Sequence, residues 1–330
     1  MAYTTIDDPS AYFQTALYTG DGNAQTITND GNSDLQPDFV WIAMRSHADN
    51  KIWYDSVRGV TKRLVSNLNS PEATVSDMVT AFNSDGFSVG TNSNVTGDTK
   101  TFVGWNWKET ADAGFDIVAY TGNGSNRTIS HSLSAVPKMM IIKNLSATSG
   151  DRDWAVYHQA LGNGSFCLLN SNAAKDDSDG FFNATTPTSS VFSLGDNTRV
   201  NANTDTFIAY LFAEKQGYSK FGSYTGNSNA NGAFIYTGFK PAFFMAKASG
   251  RAENWYIFDN KRSGHNPENE QSFADVTTAE ETTDYIDILS NGIKFRYNSV
   301  GLNGSGENYI YMAFAESPFV TSTGVPATAR

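Results

Sequence analysis

The chain has 330 residues, a formal net charge of −11 and a single cysteine, Cys167. The acidic balance excludes proteins that bind the nucleic-acid backbone through a basic surface, and one cysteine excludes a disulfide within the chain. No basic and apolar leader opens the sequence and no apolar run has membrane-spanning length, so we expect neither a secretory signal nor membrane insertion.

Along the chain, a polar arm at residues 1–12 precedes three segments that carry the same landmarks in the same order. The landmarks are the tripeptide Tyr-Thr-Gly, a proline that opens an apolar run, and a tryptophan. They stand at Tyr18, Pro37 and Trp53, at Tyr120, Pro137 and Trp154, and at Tyr224, Pro241 and Trp255. Successive tryptophans are 101 residues apart. This period is too long for solenoid or propeller repeats and is typical of a string of domains.

The last element of each segment is predicted to be a core strand. It spans residues 101–109, 206–214 and 309–316. When the three copies are aligned on their final glutamate, every second position is apolar, and this spacing is that of a β-strand. The apolar positions are Val103/Ile208/Ile310, Trp105/Tyr210/Met312 and Trp107/Phe212/Phe314.

We therefore predict an all-β protein made of three tandem β-sandwich domains, of jelly-roll or lectin-like type and about 100 residues each. The run after each proline is apolar on both faces, which indicates a central strand. Asp85-Gly86 and Asn291-Gly292 are predicted hairpin turns. Short linkers indicate that the domains pack on one another. The predicted units are an arm at 1–12, repeat 1 at 13–111, repeat 2 at 115–214, repeat 3 at 221–317 and a tail at 318–330.

The recurring tryptophans Trp53, Trp154 and Trp255 are the candidate ligand or interface residues. An exposed tryptophan could stack on sugar rings, which would suit recognition of a bacterial surface glycan. The other interpretation is a repeated anchor in the core or between domains. We favour the anchor, because constraints of the fold repeat more faithfully than binding sites do.

The remaining motifs give no basis for catalysis, and we predict that the protein is not an enzyme and needs no cofactor. The four histidines lack zinc-ligand spacing. Glu109, Glu214 and Glu316 recur once per repeat, whereas glycosidases need two facing carboxylates. We interpret these glutamates as caps or domain-junction contacts.

Asp176-Asp-Ser-Asp179 is followed by glycine, as in calcium-binding loops. The glutamate that an EF-hand places at the twelfth position is replaced by Pro187. We expect a solvated turn here, and keep calcium binding near Asp176–Asp179 as an alternative hypothesis.

Three stretches resemble a family of domains of unknown function that is widespread in bacteriophages of marine bacteria, including cyanophages. They are Thr5–Phe13, Gly31–Ile42 and Ala313–Phe319. The resemblance implies a structural protein of the virion, made in the bacterial cytoplasm and exposed on the phage particle. A tail-associated fibre or adhesin component is the first expectation, and a head decoration protein is the alternative. A free lectin or a glycan-degrading enzyme is the more distant alternative.

For a virion protein of this kind we expect other tail or capsid proteins as partners. We expect a homo-oligomer, with a trimer favoured, and a bacterial surface glycan as a further candidate partner. No nucleic acid is expected as a partner.

Overall fold

The computed structural model describes residues 2–146 and 152–327. Strands in antiparallel sheets are the main regular structure of these residues, and the helices are few and short, so the all-β prediction is confirmed. Met1 of the predicted arm and residues 328–330 of the predicted tail lie outside the described part.

The strands are numbered in chain order and grouped here by repeat. In repeat 1 the strands are β1 Phe13–Thr19, β2 Gln25–Ile27, β3 Phe39–Met44, β4 Ile52–Asp55, β5 Lys62–Val65, β6 Ala73–Thr74, β7 Val79–Phe82, β8 Phe87–Val89 and β9 Thr101–Trp107. In repeat 2 they are β10 Phe115–Thr121, β11 Arg127–Ser130, β12 Pro137–Asn144, β13 Ala155–His158, β14 Ser165–Leu168, β15 Asp176–Asp177, β16 Val191–Leu194 and β17 Thr206–Ala213. In repeat 3 they are β18 Ser219–Thr225, β19 Phe234–Tyr236, β20 Phe239–Ala248, β21 Tyr256–Asp259, β22 Glu268–Phe273, β23 Glu281–Leu289, β24 Gly292–Phe295 and β25 Asn308–Pro318.

The helices are α1 Ser93–Thr96, α2 Asp179–Phe182, α3 Thr198–Asn201 and α4 Val300–Asn303, together with 3-10 turns at Pro9–Ala11 and Gln159–Leu161. None of the helices in the described part of the chain has the length and apolar character needed to span a bilayer.

Each repeat builds a large sheet in the same strand order. The order begins β1-β9-β3-β4-β5 in repeat 1, β10-β17-β12-β13-β14 in repeat 2 and β18-β25-β20-β21-β22 in repeat 3. The strand after each landmark proline is therefore central, as predicted. Phe82 pairs with Phe87 across Asp85-Gly86, so the first predicted hairpin forms. A hairpin also forms at the second site, but Leu289 pairs with Gly292, so the turn residues are Ser290 and Asn291 and the predicted turn is wrong by one residue.

The Tyr-Thr-Gly motif fixes a short helix against the first strand of each repeat. The tyrosine ring stacks on the aromatic residue beside it in the last strand, and its hydroxyl donates to a carbonyl of the helix segment. The bonds join Tyr18 to Val95 at 2.9 Å, Tyr120 to Val200 at 2.7 Å and Tyr224 to Leu302 at 2.8 Å. A Cβ at the motif glycine would lie 2.1–2.3 Å from a carbonyl oxygen after the helix, so a side chain has no room there.

In repeats 1 and 2 the two faces of the large sheet pack against different partners. In β17, Phe207, Ala209 and Leu211 belong to the core of repeat 2, whereas Ile208, Tyr210 and Phe212 point the other way. The second set joins one cluster with residues of repeats 1 and 3, among them Trp105 and Met312, and we call this cluster the shared core. The apolar face that recurs in the sequence is therefore the face on which the repeats meet.

The N-terminal arm and the C-terminal tail both lie on repeat 3 or on each other. The Tyr3 hydroxyl donates to the Gly238 carbonyl at 2.6 Å, and the Thr4 hydroxyl donates to the Gln216 carbonyl at 2.8 Å. The Ser322 N–H donates to Asp7 at 2.6 Å. Since the arm leads directly into repeat 1, these bonds tie the first repeat to the third.

Candidate functional site

The three candidate tryptophans lie inside the protein. Trp53 and Trp154 are 0% exposed and Trp255 is 1% exposed. Stacking on a sugar requires an open ring face, which none of the three presents in this fold. Two of them instead reach the main chain of a neighbouring repeat. The Trp154 indole N–H lies 3.0 Å from the Leu68 carbonyl of repeat 1, and that of Trp255 lies 2.9 Å from the Leu168 carbonyl of repeat 2.

Trp53 is not the structural equivalent of the other two, which corrects the alignment by sequence interval. Trp53 pairs with Trp41 in the β3–β4 ladder, and the residues in the same register of the other repeats are Val156 and Ile257. The position of Trp154 and Trp255, one residue before the strand, is held in repeat 1 by Lys51. The Lys51 ammonium donates at 3.0 Å to the Thr278 carbonyl of repeat 3. The side chain at this position therefore donates a hydrogen bond to another repeat in all three cases. Repeat 1 donates to repeat 3, repeat 3 to repeat 2 and repeat 2 to repeat 1, which is a closed cycle.

A main-chain hydrogen bond repeats in the same cyclic manner. In each repeat, a main-chain N–H that follows the fifth strand in the sheet order (β5, β14 or β22) donates to a carbonyl. That carbonyl lies directly after the central strand (β3, β12 or β20) of the next repeat. The three bonds are Glu72 to Leu145 at 3.1 Å, Lys175 to Ser249 at 2.9 Å and Glu280 to Arg45 at 2.9 Å. Repeat 3 therefore contacts repeat 1 as repeat 1 contacts repeat 2, and the chain closes into a ring with approximate threefold symmetry.

A third cyclic contact uses side chains from the recurring face. The Tyr210 hydroxyl of repeat 2 donates to Asp55 of repeat 1 at 2.6 Å, and the Trp105 indole of repeat 1 donates to Asp259 of repeat 3 at 3.0 Å. His158, which has the register position of the two aspartates, bonds the Tyr311 carbonyl of repeat 3 at 3.1 Å. Burial lowers the pKa of His158 to about 4, so the imidazole is neutral and donates through Nε2.

The boundary between repeats 3 and 1 carries a network of ion pairs. Arg45 binds Glu270 at 2.8 Å and Glu280 at 2.9 Å, and Arg262 also binds Glu280 at 3.0 Å. At the other two boundaries a linker connects the two repeats. Repeats 3 and 1 are not consecutive in the chain, and the arm bridges the boundary between them. The charged groups are largely buried, so removal of one partner would leave an uncompensated charge inside this boundary.

The recurring glutamates contact the start of the following repeat in two cases. Glu109 accepts from the Ile117 N–H at 3.0 Å, and Glu214 accepts from the Phe221 N–H at 3.3 Å. Glu316 instead binds Lys240 of its own repeat at 2.9 Å. The junction role is thus confirmed at Glu109 and Glu214.

The segment Asp176–Asp179 is not an open acidic loop. Asp176 and Asp177 form β15, and Asp177 accepts from Ser165 at 2.6 Å and from Lys175 at 2.8 Å. Within residues 2–146 and 152–327, no three histidine, cysteine, aspartate or glutamate side chains are grouped as a metal site would require. These contacts favour a structural turn over the calcium hypothesis.

The surface has three clefts at related places, each between the first strand of a repeat and the loop after its second strand. The first-strand residue in each cleft is Gln14, Asp116 or Lys220, which occupy one register position opposite Asn106, Leu211 and Ala313. The cleft of repeat 1 also contains Asp30 and Lys261, and that of repeat 2 contains Ser130 and His131. The cleft of repeat 3 contains Tyr3, Tyr236, Glu214 and Gln216. Aromatic rings on an open surface thus characterise the third cleft.

The exposed aromatic residues of β19 were not among the candidate site residues predicted from the sequence. Phe234 and Tyr236 are 46% and 52% exposed. The signal was present, because Ile27, Ile129 and Ile235 are equivalent inward residues in the three second strands. Their outward neighbours are threonine or serine in repeats 1 and 2. Aligning the second strands would have shown that repeat 3 alone has aromatic residues there.

Comparison with known proteins assigns the chain to a family. The model of a family described as a domain of unknown function (DUF7483) matches residues 8–318. No curated protein matches the sequence.

Proposed function

The chain belongs to the family of unknown function DUF7483, and we propose that it is a structural protein of a bacteriophage particle. We further propose that its repeats are three β-sandwich domains and that it acts by binding, not by catalysis. Its first placement is a tail-associated fibre or adhesin component on the particle surface. The resemblance of the three sequence stretches to domains of marine phages supports the phage origin.

The observation that carries this proposal is the closed ring of three repeats. The cyclic main-chain bonds from Glu72, Lys175 and Glu280 give one chain three related boundaries around one axis. Symmetric assemblies bind through repeated, equivalent surfaces. A ring of this kind therefore suits attachment to a threefold element of a tail or capsid.

The placement of the polar side chains supports a binding role. Glu109 and Glu214 accept from main-chain N–H groups at the repeat junctions, and Asp55 and Asp259 are buried in ion pairs with arginines. These carboxylates hold the repeats together and do not face one another across an open cleft, as glycosidase carboxylates do. A glycan-degrading enzyme is correspondingly the weaker alternative.

For the head decoration alternative, the terminal arm is already engaged within the chain and does not serve as the docking element. Tyr3 of the arm binds repeat 3, Thr4 binds Gln216 in the linker between repeats 2 and 3, and Asp7 binds Ser322 of the tail. Releasing the arm would remove these bonds and Ile6 from the shared core. A decoration protein would therefore dock through the surface of a repeat.

The predicted homotrimer remains a proposal that the ring makes testable. If three chains together contact the threefold element of the tail or capsid, the purified protein should sediment as a trimer. If one chain supplies all three surfaces, it should sediment with the 35.9 kDa mass of the monomer. Sedimentation equilibrium across a hundredfold range of concentration distinguishes these results.

Immunogold labelling of intact phage particles with antibody to the purified protein tests the proposed function. Label at the tail or its fibres is the expected result. Label spread over the head would replace the tail placement with the decoration alternative. Particles without label, in a preparation where a known virion protein labels, would refute the virion role.

A further inference from the structure

The three related clefts provide an internal comparison, because the fold builds each of them from the same elements. In repeats 1 and 2 the residues on either side of the inward isoleucine are polar and exposed: Thr26 and Thr28, and Thr128 and Ser130. The fold therefore does not need aromatic residues at these positions. In repeat 3 they are Phe234 and Tyr236, and both rings are about half exposed.

Phe234 and Tyr236 are two residues apart on one face of β19, so they form a contiguous exposed aromatic patch, and such a patch indicates a contact surface. Both side chains point away from the core, since Ile235 between them is buried. Tyr236 also lines the cleft, where it meets Tyr3 of the arm. A Cβ on Gly238 would lie 2.6 Å from the Tyr3 hydroxyl oxygen and 3.7 Å from that of Tyr236, so the two phenols converge at this glycine.

Polar groups face the tyrosines from the linker between repeats 2 and 3. Glu214 and Lys220 form an ion pair at 2.9 Å and remain partly exposed, and Gln216 also lines the cleft. The Thr4 hydroxyl holds the main chain of this linker at Gln216, which fixes the arm against it. The cleft thus combines two phenol rings with a carboxylate, an ammonium group and the residue Gln216.

We propose that the cleft formed by Tyr3, Tyr236 and the Glu214–Lys220 pair binds a neutral saccharide. A sugar ring has an apolar C–H face that packs on a phenol ring and hydroxyl groups that bind carboxylates, amides and ammonium groups. The ion pair contributes no net charge, and the net charge of −11 disfavours an acidic polysaccharide. This inference rests on the proposed binding function and names the class of ligand.

Saturation-transfer NMR on the full chain tests the proposal. The probes are hexasaccharides of glucose, mannose, galactose and N-acetylglucosamine, with oligogalacturonic acid as the acidic comparison. Tyr236→Thr gives the third cleft the residue found at the equivalent place in repeat 1. Ser130→Thr makes a matched change in the cleft of repeat 2. Both positions are exposed, and a thermal melt of each variant checks that it folds.

The expected result is transfer to at least one neutral hexasaccharide, an affinity reduced about tenfold or more in Tyr236→Thr, and no change in Ser130→Thr. Three results would overturn the proposal: no transfer to any neutral probe, equal affinity in Tyr236→Thr, or binding of the acidic probe alone. If antibody labels the particles but the protein binds no saccharide, the proposed site is refuted and the virion role stands. If the protein binds a saccharide but is absent from particles, the site stands and the virion role is refuted.

Discussion

The hydroxyl of Tyr210 in repeat 2 donates a 2.6 Å hydrogen bond to the buried carboxylate of Asp55 in repeat 1. The same carboxylate receives Arg58 at 2.6 Å. The arrangement recurs at the next boundary, where Trp105 and Arg262 both bind Asp259. A phenol in one case and an indole in the other donate to the same kind of ion pair, so the ring preserves the contact while the donor changes.

Replacing Tyr210 with phenylalanine tests this contact. The change removes the donor and keeps the ring, and Asp55 loses one of its buried partners. We expect the free energy of unfolding to fall by about 1–3 kcal/mol, measured by urea denaturation. Tyr297→Phe is the control, because that side chain is 44% exposed and its change should be within about 0.5 kcal/mol. Equal effects of the two variants would contradict a role for the bond.

The two buried tryptophans Trp154 and Trp53 should respond differently to the same substitution. The Trp154 indole N–H lies 3.2 Å from the Val65 carbonyl and 3.0 Å from that of Leu68. Among the described residues, the Trp53 indole nitrogen has no hydrogen-bond partner. Both changes to phenylalanine remove similar volume, so Trp154→Phe should destabilise by about 1–3 kcal/mol more than Trp53→Phe in urea denaturation.

Truncation of Trp154 to alanine should cost about 3–5 kcal/mol, because it also leaves a cavity in the shared core. A thermal melt would detect a loss of this size. An unchanged melting temperature, or equal losses for the two phenylalanine variants, would contradict the anchor role.

The glycine of the Tyr-Thr-Gly motif is expected to tolerate no side chain. A Cβ at Gly122 would lie 2.1 Å from the Ala202 carbonyl oxygen, and the corresponding distances at Gly20 and Gly226 are both 2.3 Å. Gly122→Ala should therefore destabilise by about 1–3 kcal/mol, and the two equivalent variants should behave alike in thermal melts. Thr121→Ala, at the exposed neighbour, is the control and should have a smaller effect.

The alternation of apolar residues along the strands predicted the recurring apolar face, but not which part of the protein packs against it. Val103, Trp105 and Trp107 repeat every second residue, and the period of two identifies one side of a strand. It does not say whether that side meets the core of its own repeat or another repeat. Both faces of β9 are buried, and the long-range packing that distinguishes them is not encoded in the period.

The interval of 101 residues wrongly aligned Trp53 with Trp154 and Trp255. Strand register is set by hairpin pairing and not by residue count. The segments between the landmark proline and the tryptophan differ in length, so equal spacing between tryptophans conceals a shift of two residues. The third cleft was also beyond the sequence analysis. It joins Tyr3 of the arm to Tyr236 across more than two hundred residues, and only the closed ring places them together.

Lys51 makes stability at the boundary of repeats 3 and 1 depend on pH. Burial, to which the charge of Arg262 adds, lowers the pKa of Lys51 from 10.5 to about 8. Between these values the unfolded chain keeps a proton that the folded protein has released, so this group makes stability rise with pH. Relative to Lys51→Met, the wild-type protein should gain up to about 2 kcal/mol between pH 7 and 9.5.

Urea denaturation at a series of pH values measures this gain. Lys108→Met is the matched control, because Lys108 is exposed and its substitution should leave the slope unchanged. A slope that survives in Lys51→Met would assign the effect to another group.

Glu109 should give the opposite dependence at the junction of repeats 1 and 2. Burial, with the nearby charges of Asp116 and Asp38, raises the pKa of Glu109 from 4.5 to about 7. Between these values the folded protein holds more protons than the unfolded chain, so this group makes stability fall as the pH rises. Glu109→Gln keeps an oxygen for the Ile117 N–H and removes the charge. At pH 8 this substitution should stabilise the protein by up to about 1 kcal/mol, a modest value because the side chain is half-buried. Near pH 4.5 it should change the stability little.

Glu214→Gln is the matched comparison. It breaks the ion pair with Lys220 and should bring no gain, so an equal gain in both variants, or one independent of pH, would contradict the assignment to Glu109.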